Sequence, residues 1–231
     1  MLQIASMSRQ IFLDSHRHPP CSWSCYYMYA QNKQRRKRHL ANACKRLNQT
    51  FAPSLSNKTI VTSMIFDDRL RYIDCVIPKV GCTTWKRVLL MMSGKLHLNR
   101  LTDLSRTSAH NESLTNKYLL PLKNYKSEKI ERRMKSYFKF VFVRNPFERI
   151  VSAYLNKFKN AKYSFNYRKR IGTYIVANYR SHATESALRE GDDVTFQEFV
   201  RYLINPRTRR KVPFDVHWQP FHELCHPCYV K

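Results

Sequence analysis

The chain has 231 residues, of which 43% are hydrophobic and 13% aromatic. That is enough to bury the core of one large or two small domains, and it excludes wholesale disorder. Lys and Arg number 42 against 16 Asp and Glu, a formal charge of +26 that predicts anionic partners, while four scattered glycines exclude both a G-x-x-x-x-G-K phosphate loop and a G-x-G-x-x-G dinucleotide turn.

Residues 1–58 read as a basic stem or linker, mostly irregular. They contain Pro19-Pro20 and the run Lys33-Gln34-Arg35-Arg36-Lys37-Arg38-His39. Such a run is a solvated face, or a patch that meets an acidic polymer or anionic head groups. No stretch approaches the ~18–20 apolar residues of a membrane span, and the N-terminus makes a poor signal peptide. N-x-[ST] sequons mark Asn48, Asn57 and Asn111 as candidate glycosylation sites.

From residue 59 to residue 231 the pattern is that of a folded domain. Leu70 to Ile77 is β-branched and aromatic, and reads as a strand ended by Pro78. A polar turn follows, then a helix over Trp85 to Met92, with Thr83 or Thr84 as N-cap and Gly94 as its stop. Residues 95–127 are polar and read as long loops. Phe138 to Val143 is almost continuously apolar, as expected of a buried parallel strand. Arg144-Asn145-Pro146 turns the chain into a second helix, which places Phe147, Ile150, Val151, Tyr154, Leu155 and Phe158 on one face. Further helices are expected over 168–180, 183–190 and 195–204. The fold class is therefore α/β, a parallel sheet flanked by helices.

The cysteines are Cys21, Cys25, Cys44, Cys75, Cys82, Cys225 and Cys228, an odd set that leaves one free or paired between chains. Cys225-His226-Pro227-Cys228 reads as a local disulfide or a pair of buried thiols. A zinc site would want a second ligand pair, which the sequence does not offer. No metal is expected.

Two strand–turn–helix units suggest an anionic ligand. Ligands of parallel α/β sheets sit at the carboxyl ends of strands. A helix N-terminus there offers unpaired N–H groups and partial positive charge. In the first turn Gly81 permits close backbone approach, Lys79 and Lys86 supply charge, and Thr83 and Thr84 supply hydroxyls. In the second, Arg144 can fork onto a phosphate. The plainer alternatives are that a Thr merely caps the helix and that Arg144 pairs with Glu148.

Ile77-Pro78-Lys79-Val80-Gly81-Cys82-Thr83-Thr84-Trp85-Lys86-Arg87 resembles the 5′-phosphosulfate loop of Golgi carbohydrate sulfotransferases, and of the chondroitin and dermatan 4-O-sulfotransferases in particular. Phe142-Val143-Arg144-Asn145-Pro146-Phe147-Glu148-Arg149-Ile150-Val151-Ser152-Ala153-Tyr154 resembles their 3′-phosphate segment. Gly191-Asp192-Asp193-Val194-Thr195-Phe196, His217-Trp218 and Leu224-Cys225-His226-Pro227-Cys228 are similar to that family as well.

The resemblance implies a P-loop-like sulfotransferase fold, incomplete at its C-terminus. It implies 3′-phosphoadenosine 5′-phosphosulfate as co-substrate. Lys79, Val80, Gly81, Cys82, Thr83, Thr84 and Trp85 would wrap the 5′-phosphosulfate. Arg144 and Ser152 would hold the 3′-phosphate, supported by Asn145, Pro146, Phe147, Glu148, Arg149, Ile150 and Val151. The expected reaction moves a sulfuryl group to a sugar hydroxyl, with the 4-OH of N-acetylgalactosamine in chondroitin or dermatan favoured. Lys79 would stabilise charge on the leaving group. His110 is the candidate base, since an alcohol is a poor nucleophile, and His217 is the second candidate. The implied partner is a glycosaminoglycan or glycoprotein glycan. The implied location is the lumenal side of the Golgi membrane, through a single-pass anchor not visible in this chain. Asn145 departs from the acidic residue usual at its place. Two alternatives stand beside this reading. One is an inactive shortened relative that binds acidic glycans. The other is a basic nucleic-acid-binding protein, but the RNP motif, zinc-finger pattern and basic heptads are all missing, so no nucleic-acid partner is expected.

Overall fold

The computed structural model describes residues 23–46, 58–160, 165–211 and 214–230. The first element is helix α1, Trp23–Arg46. The basic segment expected to be irregular is thus helical over 24 residues. The reason is composition: 23–46 holds neither Gly nor Pro and is rich in Ala, Gln, Lys and Arg, all good helix formers.

Strands β1 (Met64–Asp67) and β2 (Tyr72–Cys75) form a hairpin. In its turn the Asp67 carboxylate accepts from the Leu70 N–H at 2.7 Å, and Arg71 adopts φ 52°. Helix α2 (Cys82–Met92) follows. Residues 95–127, expected as loops, carry the short helices α3 (Arg106–Ala109) and α4 (Glu112–Tyr118) and strand β3 (Leu120–Pro121). Ser105 and Asn111 cap those two helices through their side chains, a local signal stronger than hydropathy in so short a window. Helix α5 (Ser127–Ser136) leads into β4 (Phe138–Val141).

The strand order is β3-β1-β2-β4, with β2 and β4 parallel and both other pairings antiparallel. The expectation of a parallel sheet is therefore corrected to a mixed one. A four-residue turn after β1 can only reverse the chain, whereas β2 and β4 are joined by a long helical crossover. Alternation along the strands sends Met64, Phe66, Ile73 and Cys75 to one face, against Ile130 and Met134 of α5. Tyr72 faces the other way, against Leu89 and Leu90 of α2 and Ala109 of α3.

After β4 come α6 (Pro146–Tyr154), continued by a π-turn over Leu155–Lys159, then a second π-turn over Arg168–Gly172 leading into α7 (Thr173–Tyr179). Helices α8 (Glu185–Glu190), α9 (Phe196–Ile204), α10 (Pro206–Lys211) and α11 (Phe221–Cys225) complete the chain. A second, helical core gathers Tyr154, Phe158, Ile175, Phe199, Tyr202 and Trp218. Only part of the apolar face expected on α6 joins it. Phe147, Val151 and Leu155 stay 77%, 41% and 52% exposed, because the helix turns Ile150, Ala153 and Tyr154 inward instead. Close packing fixes this core: a Cβ on Gly172 would lie 2.2 Å from the Gly191 carbonyl oxygen, and Gly191 itself sits at φ +57°.

The C-x-x-C element is not locally bonded. Cys225 pairs with Cys75 at the end of β2, and Cys228 pairs with Cys44 in α1. Both thiols are consumed, so this element ligates no zinc. The spacing hid the pairing because the partners lie 150 and 184 residues away. Cys82 is free; Cys21 lies outside the described residues.

Candidate functional site at two strand-to-helix corners

Strands β2 and β4 lie side by side and in parallel, so their carboxyl ends open at the same edge of the sheet. Each is followed by a helix N-terminus. The first corner is tight. Lys79 takes φ 71° and Gly81 φ 90°, and Gly81 caps α2 without any side-chain bond. The expected Thr cap is thereby corrected: both threonines lie inside the first turn. A left-handed non-glycine costs on the order of 1 kcal/mol, which makes the Lys79 conformation a built feature of the corner. The first-turn N–H groups of α2 are left without a capping side chain, as an anion site requires.

The second corner is capped by Asn145, whose Oδ1 accepts from Phe147 N at 3.0 Å and Glu148 N at 3.4 Å, with Pro146 opening the helix. An amide oxygen does this work as a carboxylate would, so the departure at Asn145 is locally harmless. Arg144 does pair with Glu148, Nε to Oε2 at 3.0 Å, on the exposed rim. The bond uses Nε and leaves the outer guanidinium edge available to an anion.

Arg149 joins the two corners. Its side chain is 7% exposed and donates to three backbone carbonyls: Nε to Pro78 at 2.9 Å, Nη1 to Gln219 at 2.8 Å and Nη2 to Val216 at 2.9 Å. It therefore positions the first corner against α6 and against the 214–220 segment, and has little left to offer a ligand. Trp85 and Phe142 reinforce the junction, their rings stacked 3.5 Å apart. Of the other expected residues, Val80 packs against the sheet core, Ile150 against the helical core, and Phe147 and Val151 face outward. Ser152 is half-buried within α6, beyond the Arg144 corner.

The geometry brings both histidine candidates to this place. His110, at the end of α3, shares a 2.8 Å hydrogen bond between Nε2 and Thr83 Oγ1. His217 bonds through Nδ1 to Asp215 Oδ1 at 2.6 Å, and the Tyr167 hydroxyl lies 3.3 Å from the same nitrogen. Burial, then the cations Lys86 and Arg106, push His110 below its ordinary value. Burial also lowers His217, against the pull of Asp215. Both rings are therefore neutral at pH 7. Lys79 is lowered by burial and by Lys157, Arg106 and Arg144, which is the signature of cations crowded around a space for an anion. Arg106, near enough to help lower Lys79, is a residue of this edge that sequence reasoning did not single out. Asp215, two residues before His217, could have been found from the D-x-H spacing alone. Beneath α2, a small cavity is lined by Asp74, Val80, Cys82, Trp85, Lys86 and Phe142. Asp74 Oδ1 is buried without a partner among the described residues, and burial raises that carboxyl to about 7.

The chain matches the sulfotransferase family over residues 62–231. It is 47% identical over 167 residues to carbohydrate sulfotransferase 11 of Rattus norvegicus, covering 72% of this chain and 46% of that protein. Carbohydrate sulfotransferase 11 of Danio rerio is 40% identical over 201 residues, 85% of this chain and 55% of the relative. Carbohydrate sulfotransferase 14 of Homo sapiens is 38% identical over 178 residues, 77% of this chain and 43% of the relative. The chain thus spans about half the length of the curated relatives it matches. No solved structure matches it.

Proposed function

Because the chain belongs to the sulfotransferase family, we propose that it is a carbohydrate sulfotransferase. It transfers a sulfuryl group from 3′-phosphoadenosine 5′-phosphosulfate to a sugar hydroxyl, with the 4-OH of N-acetylgalactosamine in chondroitin or dermatan as the favoured acceptor. The observation that carries the proposal is the convergence of the two corners, through Arg149 on the Pro78 carbonyl, into one cation-lined edge.

On this reading the donor's phosphosulfate lies against the N-terminus of α2 between Lys79 and Thr84, and Arg144 and Ser152 take its 3′-phosphate. The acceptor oxygen attacks sulfur as the bond from sulfur to the phosphate oxygen breaks. A neutral histidine accepts the hydroxyl proton, and the departing bisphosphate takes the electron pair. Lys79 stands ready to meet that charge without reorganisation. His110 reaches the corner through Thr83; His217, oriented by Asp215, is the other proton acceptor in range. Asn111, a sequon residue next to His110, spends its Oδ1 on capping α4. A glycan there would crowd His110 and favour His217. Asn48 and Asn57 lie outside the described residues.

The proposed location is the Golgi lumen. Two disulfides between distant elements favour an oxidising compartment. No helix among the described residues is long and apolar enough to cross a membrane.

The test is transfer of labelled sulfate from the donor to desulfated chondroitin. Lys79→Ala and Arg144→Ala should each abolish it. Transfer surviving both changes would overturn the site.

A further inference from the structure

We propose that α1 is a docking ridge for a linear acidic glycan. That the glycan is also the acceptor rests on the sulfotransferase reading; the ridge itself does not. Residues 23–46 contain no Asp or Glu, and carry Lys33, Arg35, Arg36, Lys37, Arg38, Lys45 and Arg46. Residues 31–39 are exposed throughout. Arg35 to Arg38 step about 100° each around the axis, so cations line most of the circumference. None of the four has a carboxylate partner among the described residues. Cations three and four apart on a helix repel by a few tenths of a kcal/mol per pair. A bound polyanion removes that repulsion.

The ridge is fixed to the domain and aimed. Lys33 Nζ lies 5.2 Å from the centre of the Phe138 ring, at the start of β4. Lys37 is near enough to Lys139 to help lower it. Further along, buried Cys44 is bonded to Cys228, three residues after Cys225, which is bonded to Cys75 at the carboxyl end of β2. Helix α1 therefore runs beside the edge strand β4 toward the end of the sheet where the two corners open. From Lys33 to Arg46 it spans about 20 Å. A flexible chain lying on it is led toward the site.

Three observations select a glycan over other polyanions. The disulfides favour an oxidising compartment, which holds no nucleic acid. Residues 31–46 contain no Phe, Tyr or Trp on which a base could stack. The cationic stretch 31–39 holds only polar and charged residues and so has no apolar face for insertion among lipids, and anionic lipid is concentrated on the cytoplasmic leaflet. Arginine forks suit sulfate and carboxylate groups.

The test uses the full chain with R35Q, R36Q, K37Q and R38Q combined. Affinity for a chondroitin sulfate polymer is measured against salt, and sulfate transfer is compared on polymer and tetrasaccharide acceptors. The polymer affinity should fall at least tenfold. The slope of log K against log salt should fall by about 3, at roughly 0.7 per lost contact. Transfer to the tetrasaccharide should be unchanged, which also certifies the fold. A companion R35K, R36K and R38K variant, with its charge intact, should keep most of the affinity. Unchanged polymer affinity in the glutamine variant overturns the proposal, as does tighter wild-type binding to duplex RNA or to anionic vesicles than to chondroitin sulfate. Should wild-type chain bind the polymer through α1 yet transfer no sulfate, the enzyme reading fails and the ridge stands.

Discussion

Arg149 offers the sharpest test of how the site is held together. Replacing it with Lys keeps a charge but loses the fork, since an ammonium cannot reach three divergent carbonyls at once. The carbonyls of Pro78, Val216 and Gln219 are bonded at 2.9, 2.9 and 2.8 Å in a nearly buried setting. Each hydrogen bond to a charged group contributes about 1.5–3 kcal/mol, and a lysine retains at most one or two of them. Arg149→Lys should therefore cost on the order of 3 kcal/mol of stability, visible as a lower denaturant midpoint at unchanged slope. The functional loss should be greater than that stability suggests. Freed from α6, the Lys79 corner shifts relative to Arg144, and a displacement of about 1 Å is enough for a hundredfold loss of rate. Calorimetric binding of 3′,5′-adenosine bisphosphate at a temperature where the variant is fully folded separates the two effects. Affinity should drop at least tenfold. Binding within twofold of wild type would show that the corners keep their spacing without Arg149 and that this side chain does not hold them together.

The remaining predictions concern protons and cross-links. Because His110 and His217 both titrate below the ordinary histidine value, a histidine base as proposed puts the acid limb of the transfer rate below pH 6.5; an acid limb centred above 6.5 refutes a histidine base in this environment. Asp74 is raised from 3.8 to about 7 by burial, so folding favours its protonated form, and the stability this provides is present below pH 4 and is lost as pH rises through 7. Asp74→Asn should flatten that decline and add up to roughly 4 kcal/mol at pH 8, read as a higher melting temperature there and not at pH 4. Cys225→Ser opens the inner of two nested links, worth about 4 kcal/mol in the chain-entropy description while Cys44–Cys228 is kept, and should lower the melting temperature together with nucleotide affinity; retention of both would assign the bond no part in placing the 216–219 carbonyls.

Much of the candidate site's backbone was legible in the sequence because it is local. Strand, turn and helix around Lys79 and again around Arg144 are written in consecutive residues, and both corners form where the hydropathy pattern puts them. What was illegible is of two kinds. Local signals overrode pattern: Ser105 and Asn111 start helices in a stretch too polar to show periodicity, and α1 forms where the charge run suggested an irregular stem. Sheet direction was the other, since a buried four-residue strand such as Tyr72–Cys75 reads alike whether its neighbours run with it or against it.

The connections that turn the corners into a site belong to neither kind. Thr83 meets His110 across 27 residues, Arg149 meets Pro78 across 71, and Cys75 meets Cys225 across 150. Each joins groups whose separate roles look ordinary: a helix threonine, an arginine on a helix, a cysteine at a strand end. Local patterning names the residues expected to meet a ligand, because charge, hydroxyl and turn must stand at the strand end itself. It passes over the residues that hold those groups in register, because their partners are backbone carbonyls that any sequence supplies. Arg149 shows the difference. Its place in the motif marks it only as support for Arg144 and Ser152, and its burial against three carbonyls makes it the residue that ties the Lys79 corner to α6 and to the 216–219 segment.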